Sequence, residues 1–303
     1  MAGRLPQTLA ALEAEIRENG WINAEHVLRL RRAVYQDGGI DRDKAACLFR
    51  LNRGVLASDR AWAEFYVEAL TDFFYWRNGS ESVLTEDAER MLFEWLGPRP
   101  KVDDPTELRL LLNLIFRTTG CSERFRSFVL RAVEHSVLSS DHALIGCAER
   151  RAGAIDKADV EVIRRLIYGS GSQRGIAVSR AEAEFLFELD RATAGADNDP
   201  AWRDLFVKAL TMHVLHGGDS PDRVEEQEAA WLLVQLARDG QQRGNERALL
   251  AYLKQEAASL HPLLQPLYQG PAADRPISEA RRANTADRAA RGFAGGQRES
   301  TRP

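Results

Sequence analysis

The chain is poor in the features that mark secreted, disulfide-linked or membrane-spanning proteins. Its three cysteines, Cys47, Cys121 and Cys147, are too few and too scattered for a disulfide framework or a zinc knuckle. The most apolar run, LRLLLNLIF at 108–116, is far shorter than the roughly 20 residues of a membrane span. The N-terminal stretch has no apolar segment typical of a secretory signal. These absences predict a cytoplasmic protein without a direct membrane span, although a peripheral membrane complex stays open.

Positive charge is also scarce outside the C-terminal end. The formal net charge is −4, yet residues 271–303 contain seven Arg against four acidic residues, so the acidic balance lies in residues 1–270. An acidic body argues against broad nucleic-acid binding, because phosphate contacts need a basic face. The C-terminal segment has few large apolar residues, and this composition predicts a mobile, disordered basic tail.

What the chain does contain is a long internal repeat. The segment DRAWAEFYVEALT at 59–71 returns as DPAWRDLFVKALT at 199–211. Further matches keep the same order along the chain: INAEHVLRLRRAVY at 22–35 with IDKADVEVIRRLIY at 155–168, LFRLNR at 48–53 with LFELDR at 186–191, and ELRLLL at 107–112 with ERALLA at 246–251. Collinear matches of this kind predict a tandem duplication.

Apolar residues recur at helical spacing in each copy, and no alternating strand pattern stands out. The predicted fold class is therefore all-α, with two tandemly duplicated helical bundles and a mobile C-terminal tail. The predicted domains are an N-terminal helix at 1–18, a first bundle at 19–137, a linker at 138–154, a second bundle at 155–270 and the basic tail at 271–303.

Local signals mark several helix starts and one pair of core residues. Asn23 and Asp156 precede helical runs, Ser179 and Glu182 have capping-box spacing, and Asp104-Pro105 places proline at a first helical position. Trp62 and Trp202 hold equivalent places at the start of the apolar stripe of the longest helix in each copy. A duplicated unit keeps a large aromatic most simply as a core residue, so both indoles are predicted to be buried.

The most pointed local motif is an Asp-Gly turn followed by an acidic residue in the next helix. It reads RDGQQRGNERALL at 238–250, with QDGGIDRDKAACLF at 36–49 as its counterpart. Here the sequence resembles the tellurite-resistance TerB-like helical family, in tandem duplication. That resemblance implies an all-α bundle, an acidic surface connected with divalent metal, and roles in stress-related or membrane-associated complexes.

Three acidic residues match this family pattern, and Asp43, next to the lysine that stands where the fourth acid is expected, completes the candidate metal set. The set is Asp37, Asp43, Asp239 and Glu246, and carboxylates of this kind favour calcium or magnesium. Lys44 stands seven residues after Asp37, where Glu246 stands relative to Asp239. Turn formation and helix-dipole stabilisation explain the same acids without metal. Neither a certain cofactor nor an EF-hand follows from these residues.

Other candidate sites have simpler structural interpretations. His213 and His216 have a spacing that suits zinc, but at the corresponding positions the first copy has Phe73 and Trp76, which favours aromatic packing. The glycine-rich stretch GSGSQRG at 169–175 follows a helix and lacks a Gly-Lys-Ser/Thr sequence, so it is interpreted as a loop. Cys47 lies on an apolar helix face, where a buried inert thiol is the ordinary case.

No catalytic constellation is recognisable in the spacing of these residues. The sequence therefore favours a non-enzymatic interaction or scaffold module of the TerB-like type, related to stress, which binds another protein. The alternative is a regulatory protein that responds to calcium or magnesium through the four acidic residues.

Overall fold

The computed structural model describes residues 7–76, 83–97, 102, 104–139, 153–169, 178–216, 221–238 and 242–268. Most of these residues are α-helical, in thirteen helices within the described part, which confirms the predicted helical class. The predicted tail at 271–303 and most of the predicted linker at 138–154 lie outside the described residues.

The chain divides into two compact units, residues 1–175 and 176–303. The described elements of the first unit are α1 (Gln7–Asn19), β1 (Trp21–Ile22), α2 (Ala24–Tyr35), α3 (Arg42–Gly54), β2 (Ala57–Ser58), α4 (Arg60–Trp76), α5 (Glu86–Leu96), α6 (Pro105–Arg117), α7 (Glu123–Leu138) and α8 (Lys157–Tyr168). Within this unit α1 packs on α2 and α3, and α4 packs on α2, α3 and α6.

The second unit is built around its longest described helix. Its elements are α9 (Arg180–Ala192), α10 (Pro200–His216), β3 (Arg223–Val224), α11 (Glu226–Leu236), α12 (Gly244–Glu256), β4 (Ser259–Leu260), a 3-10 turn (Pro262–Leu264) and α13 (Gln265–Tyr268). The long helix α10 packs on α9 and α12.

The predicted helix starts have the capping contacts that their sequences indicate. The side chains of Asn23 and Asp156 accept hydrogen bonds from backbone N–H groups in the first turns of α2 and α8. Ser179 and Glu182 form the predicted capping box, since each side chain accepts a hydrogen bond from the backbone N–H of the other. Such contacts satisfy N–H groups that have no partner inside the helix, and they set where each helix begins.

Short parallel strand pairs accompany the helices. β1 pairs with β2, β3 pairs with β4, and Val83 forms a parallel bridge with Gly120. In each case two helices lie between the paired segments in the chain order. The sequence showed no alternating pattern here because a strand of two residues is too short to contain a period of two.

Helices at corresponding places in the two predicted copies have equal lengths. The pairs α2 and α8 have 12 residues, α3 and α9 have 13, α4 and α10 have 17, α5 and α11 have 11, and α6 and α12 have 13. The equal lengths include α5 and α11, for which the sequence shows no direct match.

The two repeated tryptophans lie in the cores of their units, as predicted. Trp62 is fully buried and Trp202 is 1% exposed. Each indole N–H donates to a side chain near the end of the preceding helix: Trp62 Nε1 to Asn52 Oδ1 and Trp202 Nε1 to Asp190 Oδ1, both at 2.9 Å. Each buried indole thus has the hydrogen bond that its polar edge needs.

None of the described helices combines the length and the apolar character that crossing a membrane requires.

Candidate interaction groove and predicted metal residues

Asp37, one of the two predicted metal residues in the first copy, lies at a turn that binds the ammonium of Lys44. The ammonium of Lys44 donates to Val34 O at 2.9 Å, to Gly39 O at 3.1 Å and to Asp37 Oδ2 at 3.4 Å. The side chain of Lys44 is 3% exposed, whereas that of Asp37 is 69% exposed. Two carbonyl oxygens and one carboxylate are therefore committed to this ammonium.

The other predicted metal residues are placed differently. Asp43 lies in the first turn of α3, partly exposed, and favours the charged form of the Arg50 guanidinium. Glu246 is buried in the first turn of α12, where its Oε2 accepts a hydrogen bond from the backbone N–H of Arg243 at 2.9 Å. Asp239 lies outside the described residues. In the described ranges no group of three or more His, Cys, Asp and Glu residues could hold a metal ion.

His213 packs as an aromatic residue, as the comparison of the two copies predicted. Its ring lies 4.6 Å from that of Trp231 in an edge-to-face arrangement, and its Nδ1 lies 2.8 Å from Val178 O. In the first copy, Phe73 stacks on Trp95 at 5.9 Å. Burial lowers the pKa of His213, because desolvation disfavours the imidazolium, although the bond to Val178 opposes that shift.

We expect replacement of His213 by Phe to remove part of the pH dependence of stability. The unfolded-state imidazole, with an ordinary pKa of 6.5, is protonated before the buried one as the pH falls. The unfolded state then binds more protons, so the free energy of unfolding decreases below about pH 6.5. Urea unfolding between about pH 5 and 8 should show a shallower slope for His213→Phe. His216→Gln, at a position whose side chain is 49% exposed, is the histidine replacement measured beside it.

The predicted burial of the Cys47 thiol is confirmed, and the thiol belongs to a cluster that joins α1 to α3. The thiol is buried and donates to Glu13 Oε2 at 3.3 Å, while Arg50 binds the same carboxylate through two bonds of 2.8 Å. Burial, together with the Glu13 charge, raises the pKa of Cys47 to about 12. The Arg50 hydrogen bond lowers the pKa of Glu13 despite its desolvation. These contacts fix α1 on the first unit.

An open groove lies between α1 and α2, and the sequence did not predict it. It has a volume of about 470 Å³. Leu12 and Ala33 are almost completely buried at this place, with 5% and 4% exposure, and they give the groove an apolar floor. The lining residues are Thr8, Ala11 and Leu12 from α1, and Arg29, Arg32, Ala33 and Gln36 from α2.

The two arginines that line the groove differ in their ion pairing. Arg29 binds both oxygens of Glu15 at 2.8 Å, which lowers the pKa of Glu15 and raises that of Arg29. Arg32 is exposed, and within the described part of the chain its guanidinium has no hydrogen-bond or ion-pair partner. The groove thus combines an apolar floor with one uncommitted positive charge.

Large apolar side chains are exposed close to these elements. Leu28 is 58% exposed and lies one helical turn before Arg32 on α2. Beyond the groove, Trp21 on β1 is 49% exposed and Leu56 is 96% exposed. The backbone N–H of Leu56 donates to Gly20 O at 2.8 Å, so Leu56 lies beside the start of β1.

The groove escaped the sequence analysis because it depends on how two helices pack. The sequence identified α1 as an amphipathic helix outside the repeat, but helical spacing does not say which neighbour covers its apolar face. One signal was present: Ala10, Ala11 and Ala14 place small side chains along α1, which lets another helix approach closely.

No family model, curated protein or solved structure matches this chain. The resemblance to the TerB-like family therefore stays a prediction.

Proposed function

We propose that this protein is a non-enzymatic interaction module that binds a protein partner through the groove between α1 and α2. The observation that supports this most directly is the groove itself, with its apolar floor at Leu12 and Ala33 and, at its side, Arg32, which has no ion-pair partner among the described residues. Apolar surface next to a few polar groups is the usual composition of a binding site. Exposed Leu28 extends the apolar surface along α2.

The groove is suited to a structural element rather than to a reaction. Its lining consists of alanine, leucine, arginine, threonine and glutamine side chains, none of which is a nucleophile paired with a base. The contacts of Glu13 with Arg50 on α3 and of Glu15 with Arg29 on α2 hold α1 against two neighbouring helices. A preformed surface of this kind binds with a smaller cost of ordering.

The proposal includes the duplicated architecture of the sequence analysis. We infer that the two copies derive from one unit, and the equal lengths of five helix pairs support this inference. The TerB-like identity, a stress-related role and a cytoplasmic location belong to the same proposal and rest on the Asp-Gly motif in its helical context.

A partner-capture experiment with a groove variant tests the proposed function. The immobilised full chain should recover a stoichiometric protein from native lysate of its source cells. Ala11→Trp should lose this protein, because the exposed Ala11 position lines the groove and an indole there would fill it. Arg60→Glu on α4 is the control, since the Arg60 side chain is 91% exposed and lies outside the groove lining. Failure to recover any stoichiometric partner contradicts the proposal.

One observation favours a second candidate function, regulation by a divalent cation. The turn between α2 and α3 binds the Lys44 ammonium through carbonyl and carboxylate oxygens, which are also the ligands that calcium prefers. Asp239 and Glu246 have the same seven-residue spacing in the sequence as Asp37 and Lys44, although Glu246 opens α12, which is matched with α6 and not with α3.

Calorimetry with calcium and magnesium at millimolar concentration tests this second candidate. Binding should disappear in Glu246→Gln, which removes the carboxylate charge but keeps an acceptor for the backbone N–H of Arg243. If neither heat of binding nor a change in melting temperature is measured for the wild type, the metal function is wrong.

A further inference from the structure

We propose that the partner element that occupies the groove between α1 and α2 is an amphipathic helix with acidic residues beside its apolar stripe. This inference rests on the proposed function and specifies the chemistry of the partner. Three observations support it: the shape of the groove, the charge of its lining residues, and the charge of the two end segments of the chain.

The shape of the groove suits a third helix. Thr8, Ala11 and Leu12 lie three and four residues apart, so they share one face of α1, and two of them have small side chains that permit close approach. Opposite them on α2, the small side chain of Ala33 is 4% exposed and forms part of the floor without obstructing the groove. A helix in this position would place leucines at intervals of three and four residues against the floor, which is the usual geometry of a helix in a groove.

The charge of the groove selects the sign of the flanking residues. Its seven lining residues include two arginines and no acidic residue. Glu15 satisfies Arg29, whereas Arg32 has no partner in the described ranges. A carboxylate one turn from the buried leucines would pair with Arg32, and the exposed Leu28 would add an apolar contact on the same side.

The same charge disfavours the ends of this chain as occupants. Residues 1–6 contain Arg4 and no acidic residue, and residues 271–303 contain seven Arg against four acids. Both segments would bring positive charge to Arg32. An anionic membrane surface is also a poor match, because such surfaces attract clusters of about four to eight basic residues rather than a single uncommitted arginine.

Two designed peptides test the proposal with the full-length chain. Both are 16-residue alanine-based helices, labelled with fluorescein, with leucines at i, i+4 and i+7. One has glutamates beside the leucine stripe and the other has lysines at the same positions. Fluorescence anisotropy should show that the glutamate peptide binds and that the lysine peptide binds at least tenfold more weakly.

Charge reversal in the protein should reverse this preference. Arg32→Glu should lower the affinity for the glutamate peptide by tenfold or more and raise the affinity for the lysine peptide. Ala11→Trp should abolish the binding of both peptides. Arg60→Glu makes the same charge change outside the groove and should alter neither affinity. Thermal unfolding of each variant verifies that it is folded before binding is compared.

Each alternative outcome identifies which proposal fails. Equal affinities for both peptides, or an unchanged preference in Arg32→Glu, overturn the acidic-helix inference. If the peptides give either of these results but Ala11→Trp loses the captured native partner, the proposed function stands and only the inference about the acidic helix fails. Arg32-dependent binding to vesicles containing phosphatidylserine, without peptide binding, would replace the helix by a lipid surface. If no native partner is recovered and neither peptide binds, both proposals fail.

Discussion

Replacing Trp62 or Trp202 by alanine is expected to lower the free energy of unfolding by about 3–5 kcal/mol. Both indoles are almost completely buried, so the removal of either one would leave a large cavity among the helices of its own unit. Truncation would also remove the hydrogen bond that the side chain of Asn52 or Asp190 now accepts from the indole N–H. The loss should appear as a lower midpoint of urea unfolding, followed by circular dichroism.

Two further variants separate the parts of this effect. Trp62→Phe keeps most of the apolar volume but removes the N–H that donates to Asn52, so it should cost less than Trp62→Ala. Trp21→Ala serves as the matched control, because Trp21 is 49% exposed and its truncation should cost below about 1 kcal/mol. A wild-type midpoint for Trp62→Ala would contradict the position of this residue in the core.

Replacing Lys44 by methionine is expected to lower the free energy of unfolding by roughly 2–3 kcal/mol. Methionine retains much of the buried apolar stem but removes the ammonium from Val34 O and Gly39 O. The carbonyl oxygens at this turn would then lose a charged donor in a place where Lys44 is 3% exposed. Urea unfolding at neutral pH measures the loss.

A lysine on a solvent-exposed position controls for the change in net charge. Lys208 on α10 is exposed, so Lys208→Met should change the free energy of unfolding by less than about 0.5 kcal/mol. Equal stabilities for Lys44→Met and the wild type would show that the ammonium contributes nothing to holding the turn between α2 and α3.

Several features of this protein follow from the sequence by itself, because they depend on neighbours within a few residues. Helix capping at Asn23, Asp156 and Ser179 joins residues two or three positions apart, so the sequence identifies these starts correctly. Helical periodicity likewise places Trp62 and Trp202 on a buried face. The predicted duplication adds a comparison within one chain, and Phe73 at the matching position predicts the aromatic packing of His213.

The tertiary structure decided the features that join residues distant in the chain. Lys44 appeared in the sequence as a departure from an acidic pattern, and only folding shows that its ammonium binds carbonyl oxygens at Val34 and Gly39.

The groove likewise requires α1 to lie on α2, with Arg29 held by Glu15 and Arg32 left without a partner in the described ranges. A repeat pattern reports which face of a helix is apolar but not which helix covers it. Packing between helices therefore determines where apolar floor and free charge meet.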